Sequence, residues 1–282
     1  MKSKRDIFYS FGFSVLSIVF TVILCFMTVY HIIGVDVPQR TIIQHILFSD
    51  KQSLFATPMY SAPFVCDGIF VNQWFIIFVP MLSSMPFLMQ FAGEFNGFYR
   101  MQLARMNFKK YWNRVFFKIG FSGACSVTIG YAVFSLITRN FFPKLSEYPA
   151  GEVVQLNSAM NRLFRTQNEL VFWLNRAIVI FTFVFLISQV CLLIFLLCMN
   201  RYKAIGLPMI TFYLLDQISN SLYQNNFNGK YYIVSPKNIL FFTDFTFENW
   251  GFNYWWYFVF AAAATIALYL AGKKKCRGRV IN

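Results

Sequence analysis

The chain has 282 residues, of which 57% are hydrophobic, 21% are aromatic and only 13% are charged. Soluble domains contain about twice that share of charged residues, so the composition argues against a soluble fold and favours one embedded in lipid. The formal net charge of +14 belongs to a strongly apolar chain, which argues against intrinsic disorder and against a nucleic-acid-binding domain. We therefore expect an all-α membrane protein.

Six runs with no charged residue, or with one, are long enough to cross a bilayer as helices, which requires about 20 apolar residues. They are residues 9–33, 69–93, 119–138, 177–200, 204–223 and 250–272. The first is longer than the core of a signal peptide and no small-residue cleavage site follows it, so we expect it to be retained. The sequence predicts one transmembrane domain, residues 1–282, with six spans.

The basic residues predict the orientation of these spans. If the N-terminus is cytoplasmic, 16 of the 25 Lys and Arg residues lie in the inner segments and nine in the outer ones. Cytoplasmic segments of membrane proteins are enriched in Lys and Arg, so both termini are predicted to be cytoplasmic. The outer segments, residues 34–68, 139–176 and 224–249, mix apolar and polar residues and are expected to form short helices.

The long inner segment, residues 94–118, is basic and aromatic. Leu103, Met106 and Lys110 are spaced by helical turns, which predicts a short helix along the inner membrane surface. Such a helix either anchors the chain to lipid phosphates or binds a partner protein, and its residues leave both interpretations open.

Asp216 is the one carboxylate deep inside a predicted span, where its burial is costly unless it finds partners. Asn220 and Gln224 follow at i+4 and i+8 and extend a polar stripe towards the outer side. Arg176 is the nearest cation, roughly two helical turns away in depth. These residues either line a substrate pathway or lock the bundle through hydrogen bonds between helices.

Prolines interrupt two of the predicted spans. Pro80 and Pro86 lie in the second span and Pro208 lies in the fifth. Because proline removes a backbone donor, these helices are predicted to bend, either for packing or for gating.

Motifs of soluble active sites are missing from the sequence. There is no phosphate-binding loop, zinc-binding His pair or nucleophile elbow, and the two histidines, His31 and His45, lie at or beyond the outer end of the first span. We therefore expect that the chain is not an enzyme and that it binds no metal or cofactor.

The predicted topology, the basic segment between spans two and three and the short turn between spans four and five resemble permease subunits of ATP-binding-cassette exporters. The closest resemblance is to the second exporter superfamily, which includes polysaccharide, drug and antimicrobial-peptide exporters. It is carried by Glu94-Phe-Asn-Gly97, Leu103-Ala-Arg105 and Lys109-Lys-Tyr-Trp112, followed by Lys118. The short N-terminal tail and the large outer segments depart from this family.

The resemblance implies that residues 94–118 contain a coupling helix that docks on a separate cytoplasmic ATPase, which holds ATP and magnesium. The candidate coupling residues are Glu94, Arg100, Arg105, Lys109, Lys110, Tyr111 and Trp112. A second permease, identical or related, would complete a pathway for an antimicrobial peptide, lipid or drug across a bacterial plasma membrane. The alternative is a scaffold or sensor subunit, which has the same spans without ATP-linked turnover.

The topology makes a testable prediction. In a background that lacks Cys66, a cysteine introduced at Ser158 should react with a membrane-impermeant thiol reagent on intact cells, and one at Asn107 should not. Reaction at Asn107 but not at Ser158 would reverse the predicted orientation.

Overall fold

The computed structural model describes residues 4–36, 62–63, 65–66, 73–95, 108–142, 144, 169–224 and 255–281. Within these ranges the chain forms no strand and seven helices: α1 (Lys4–Asp36), α2 (Gln73–Ser84), α3 (Leu88–Phe95), α4 (Phe108–Phe141), α5 (Glu169–Cys198), α6 (Arg201–Gln224) and α7 (Trp255–Ile281). The all-α fold class is therefore confirmed for the described residues.

Three helical stretches in the described residues are long and apolar enough to cross a membrane. They are Phe11–Thr28 in α1, Phe108–Phe141 in α4 and Trp173–Cys198 in α5, and they match the first, third and fourth predicted spans. Helices of this length and composition belong to a membrane-embedded protein. The fifth predicted span lies within α6 and most of the sixth lies within α7; six spans and their orientation stay predictions.

The ends of α4 and α5 extend beyond the predicted spans. α4 has 34 residues and is therefore about 51 Å long, compared with about 30 Å for a bilayer core. It includes residues 108–118, because no proline or glycine interrupts the basic residues that precede the third predicted span. The short helices expected in the outer segments fall almost entirely outside the described residues.

α4 lies at the centre of the described bundle and packs against α1, α2, α5 and α7. Its buried face places Gly120, Gly123, Ala124 and Gly130 between larger apolar residues. Helices in lipid associate through close packing, so small residues that let backbones approach are typical of their interfaces. The sequence of α4 therefore suits a helix with neighbours on several sides.

The glycines of α4 mark the points of closest approach. A methyl group at Gly123 would collide with the Ser83 carbonyl oxygen of α2, and one at Gly130 would lie 2.6 Å from the Cβ atom of Thr21 in α1. At Gly120 a methyl group would collide with side chains of α5. Only glycine allows these three neighbours to approach so closely.

A two-residue turn makes α5 and α6 antiparallel neighbours. Met199 has a φ of 53°, in the left-handed region that commonly ends helices, and its N–H donates to the Phe195 carbonyl at 2.7 Å. The Asn200 Oδ1 atom accepts from the backbone N–H groups of Tyr202 at 2.9 Å and Lys203 at 3.2 Å. Asn200 is thus the N-cap of α6, and the turn lies where the sequence predicts one.

Close packing at α4 predicts opposite effects for two glycine substitutions. Gly123→Ala should lower the free energy of unfolding by about 1–3 kcal/mol, because the new methyl group forces α2 away. Gly206→Ala is the matched control, since nothing lies within 4 Å of that position in α6, and it should be neutral or stabilising by up to about 1 kcal/mol. Thermal unfolding in detergent measures both; equal effects would contradict the packing described here.

Candidate functional site

The second predicted span is broken near its middle. Residues 85–87 form a turn between α2 and α3, and Pro86 lies within it. Because Pro86 has no N–H, it cannot donate to the carbonyl of Leu82 four residues earlier. The Ser17 hydroxyl of α1 donates to that carbonyl instead, at 2.8 Å in a buried position. The break is therefore held by a hydrogen bond from a neighbouring helix.

Buried polar side chains from three helices gather around the break. This midspan polar cluster consists of Ser17, Ser83, Ser84, Ser188 and Gln189. The Ser83 backbone and the Ser188 hydroxyl both face Gly123, and the Gln189 Nε2 atom donates to the Phe116 carbonyl of α4 at 2.9 Å. None of these side chains titrates near neutral pH, so the cluster offers hydrogen bonds rather than acid–base chemistry.

The midspan polar cluster was not predicted from the sequence. The available signal was the occurrence of single polar residues, such as Ser17 and Gln189, in otherwise apolar spans. A polar side chain in such a position needs an internal partner. Which helix supplies that partner depends on packing, which the sequence does not reveal directly.

A second polar layer contains the predicted residues Arg176 and Asp216. Both side chains are buried at 3% exposure, and neither is without an interaction partner. Tyr257 of α7 reaches the same layer, because its hydroxyl donates to the Val179 carbonyl at 3.2 Å. Buried charges persist in membrane helices when other polar groups stabilise them, so this layer faces protein.

The register of α5 against α6 gives the separation of Arg176 and Asp216 along the helix axes. The rings of Phe183 and Phe212 are in contact, with centroids 6.3 Å apart. Asp216 lies four residues beyond Phe212, and Val179 lies four residues before Phe183, so these two are level. Arg176 is three residues further along, about 4.5 Å by helical rise. The two charges are therefore separated in depth by about one turn, compared with the two turns expected from the sequence.

The rest of the predicted stripe continues along α6. Asn220 and Gln224 lie on its last two turns, and their side chains are outside the described residues. Three other polar residues of α6, Thr211, Gln217 and Ser221, are exposed on the outside of the described bundle. Polar groups on an exposed membrane helix are costly in lipid and typically face protein or water.

The predicted coupling residues are divided between two helices. Glu94 lies at the end of α3, and Arg100 and Arg105 fall outside the described residues. Lys109 and Lys110 are exposed in the first turn of α4. The C-terminal part of the predicted inner segment thus belongs to the same helix as the third span.

The two aromatic coupling candidates are buried. Tyr111 is 8% exposed and Trp112 is fully buried. The Trp112 ring packs against Phe116 and Tyr269, with centroids 5.7 Å and 6.2 Å away, and against Gly272. In the described bundle, Trp112 therefore attaches α4 to α7.

No metal or cofactor site is assigned. Within the described ranges, no three His, Cys, Asp or Glu side chains lie close enough together to hold a metal ion. Comparisons with family models, with curated proteins and with solved structures returned no match. Function is therefore inferred from the residues and their geometry.

The hydrogen bond at the break predicts a coupled pair of mutations. Ser17→Ala should cost about 1–3 kcal/mol, because it leaves the buried Leu82 carbonyl without a donor. Pro86→Ala restores an N–H that can reach this carbonyl, so Ser17→Ala should cost less in that background. Thr211→Ala is the control, since its exposed hydroxyl bonds within its own helix. Additive costs in unfolding experiments would contradict this account of the break.

Proposed function

We propose that this chain is the permease subunit of an ATP-driven exporter and works with a separate cytoplasmic ATPase. The main support for this proposal is that the helices on both sides of residues 96–107 pack against the same end of the bundle. Phe95 of α3 contacts Phe195 of α5, with centroids 6.1 Å apart, and Trp112 of α4 contacts Gly272 of α7. A force applied to this segment therefore acts on two anchored helices.

The ATPase contact in this proposal comprises residues 96–107 and the charged residues beside them. Glu94, Lys109 and Lys110 flank the segment, and Arg100 and Arg105 lie within it. A short helix in a groove gains specificity from a few charged and aromatic anchors. Buried Tyr111 and Trp112 have the complementary role of transmitting the force into the bundle.

The break in the second span gives this force a route to the pathway. α3 can move relative to α2 because only residues 85–87 connect them, and short irregular segments of this kind act as hinges. α2 packs against α6, the helix that carries Asp216. A displacement of α3 shifts the hinge end of α2, so α2 moves against α6 and the polar layer.

The substrate pathway in this proposal runs along α6. Asp216, Asn220 and Gln224 form its polar stripe with Arg176 nearby, and Thr211 lies on the exposed face of the same helix. A second permease, identical or related, would cover that face and keep its polar groups out of lipid. The substrate is an antimicrobial peptide, lipid or drug.

Energy for transport comes from the partner in this proposal. The chain has no phosphate-binding loop, so ATP and magnesium belong to the ATPase subunit. The site of action is a cell membrane, and a bacterial plasma membrane fits the resemblance.

A double substitution tests the proposed contact. Glu94→Ala/Arg105→Ala should reduce the amount of ATPase that co-purifies in mild detergent by roughly 10-fold or more, because two contact anchors are lost. Membrane insertion should be unchanged, since the spans are intact. Glu248→Ala/Lys237→Ala removes one acid and one base from a predicted outer segment and should have no effect.

Immunoblotting of membranes and of the purified complex gives both readouts. A double variant that retains as much ATPase as the control would contradict the proposed contact. Wild-type protein that carries no ATPase would favour the scaffold or sensor alternative.

A further inference from the structure

The basic ends of α4 and α7 lie side by side. The Tyr269 hydroxyl donates to the Asn113 Oδ1 atom at 2.5 Å. One turn further along α7, a methyl group at Gly272 would lie 2.7 Å from the indole ring of Trp112, so the two backbones approach closely. These contacts show that the helices are antiparallel at this end and give their register.

The register brings two groups of lysines to the same level. On α4, Lys109 and Lys110 lie shortly before Asn113. On the antiparallel α7, the lysines that lie shortly after Tyr269 are Lys273, Lys274 and Lys275. Lys273 is half-buried and the others are exposed, and neither helix contains an acidic residue. Five lysines at one level concentrate positive charge at this end of the bundle, and such a concentration attracts anions.

The charged end of α7 is fixed to the bundle. Cys276 is fully buried, and this burial raises the pKa of its thiol to about 12. Lys274, Lys275 and Arg277 are exposed around it. The cations of α7 are therefore presented by an ordered helix that continues directly from its apolar part.

Both helices change from charged to apolar on their exposed faces within about one turn. On α4 the exposed stripe reads Lys110, Arg114, Phe117 and Phe121. On α7 the corresponding order is Lys274, Leu270 and Ile266. Cations followed at once by exposed apolar side chains are typical of a surface that meets headgroups and then acyl chains.

We propose that the paired ends of α4 and α7 form one binding surface for the phosphate groups of anionic phospholipids. The lysines of the two helices bind the headgroups jointly, and the exposed apolar residues beside them contact the acyl chains. Bound lipid holds the ends of α4 and α7 at a fixed depth. Lys109 and Lys110 also flank the proposed ATPase contact, whereas Lys274 and Lys275 lie outside it, so the α7 variant tests lipid binding independently of the proposed transport function.

Native mass spectrometry tests the proposal on the full-length protein. The protein is reconstituted in nanodiscs of equal parts phosphatidylcholine and phosphatidylglycerol and then released into mild detergent, and retained lipids are counted. The variants are Lys109→Gln/Lys110→Gln on α4 and Lys274→Gln/Lys275→Gln on α7. The control, Arg201→Gln/Lys203→Gln, also removes two exposed cations, from the start of α6 beside its turn with α5.

Wild-type protein should retain phosphatidylglycerol in preference to phosphatidylcholine. Each lysine variant should weaken that retention by roughly 25-fold, since a cation near an anionic membrane surface contributes a factor of about five. The control should weaken retention by less than either lysine variant, because the end of α5 beside it carries no basic residue and its two cations bind headgroups without a second basic helix end. Circular dichroism and gel filtration verify that each variant is folded, and the α7 pair alone suffices for the test.

Two results would overturn the proposal. Equal losses in all three variants would show that retention follows total charge and that no joint surface exists. An α7 variant that retains phosphatidylglycerol but loses a co-purified protein would show that the surface binds an acidic protein instead of lipid.

Discussion

The close approach of neighbouring backbones to the small-residue face of α4 is the constraint on which the rest of the described bundle depends. Gly123 allows the Ser83 backbone of α2 to reach α4, and Gly130 allows Thr21 of α1 to do so. α1 and α2 are thereby brought together, so that Ser17 can donate to the carbonyl that Pro86 leaves without an N–H. In lipid no water can replace such a donor, so packing and hydrogen bonding are inseparable here.

The same packing connects the two ends of the protein in the proposed function. α3 lies against the end of α5 that carries Phe195, α2 lies against α6, and α6 carries Asp216. A broken helix between these contacts moves as two short rigid pieces, whereas an intact one would bend as a whole. The lysine-rich ends of α4 and α7 are the proposed lipid-binding surface, and Lys109 and Lys110 of α4 also border the proposed ATPase contact.

The sequence predicted the features that depend on composition, but it did not predict the contacts that depend on how neighbouring helices pack. Long apolar runs predicted the all-α class and six spans, because a helix satisfies its own backbone in lipid. Three of these spans coincide with helices long and apolar enough to cross a membrane. The bend predicted at Pro86 is present. The donor that replaces the missing N–H of Pro86 is Ser17, which belongs to another helix. Trp112, which was predicted in the coupling segment, is buried in the described bundle because α4 extends beyond the predicted third span and packs on Gly272. The depth separation of Arg176 and Asp216 depends on the register of α5 and α6, which residue counting estimated too coarsely.

The proposed function requires an ATPase that binds the segment between α3 and α4. A photo-activated cross-linker introduced at Asn107 in native membranes detects such a partner, with one at Ser158 as the control. Asn107 should form a covalent adduct with a protein whose sequence contains a phosphate-binding loop, and Ser158 should not. Adducts from Asn107 with lipid alone, or with no protein of that kind, would show that no ATPase binds there.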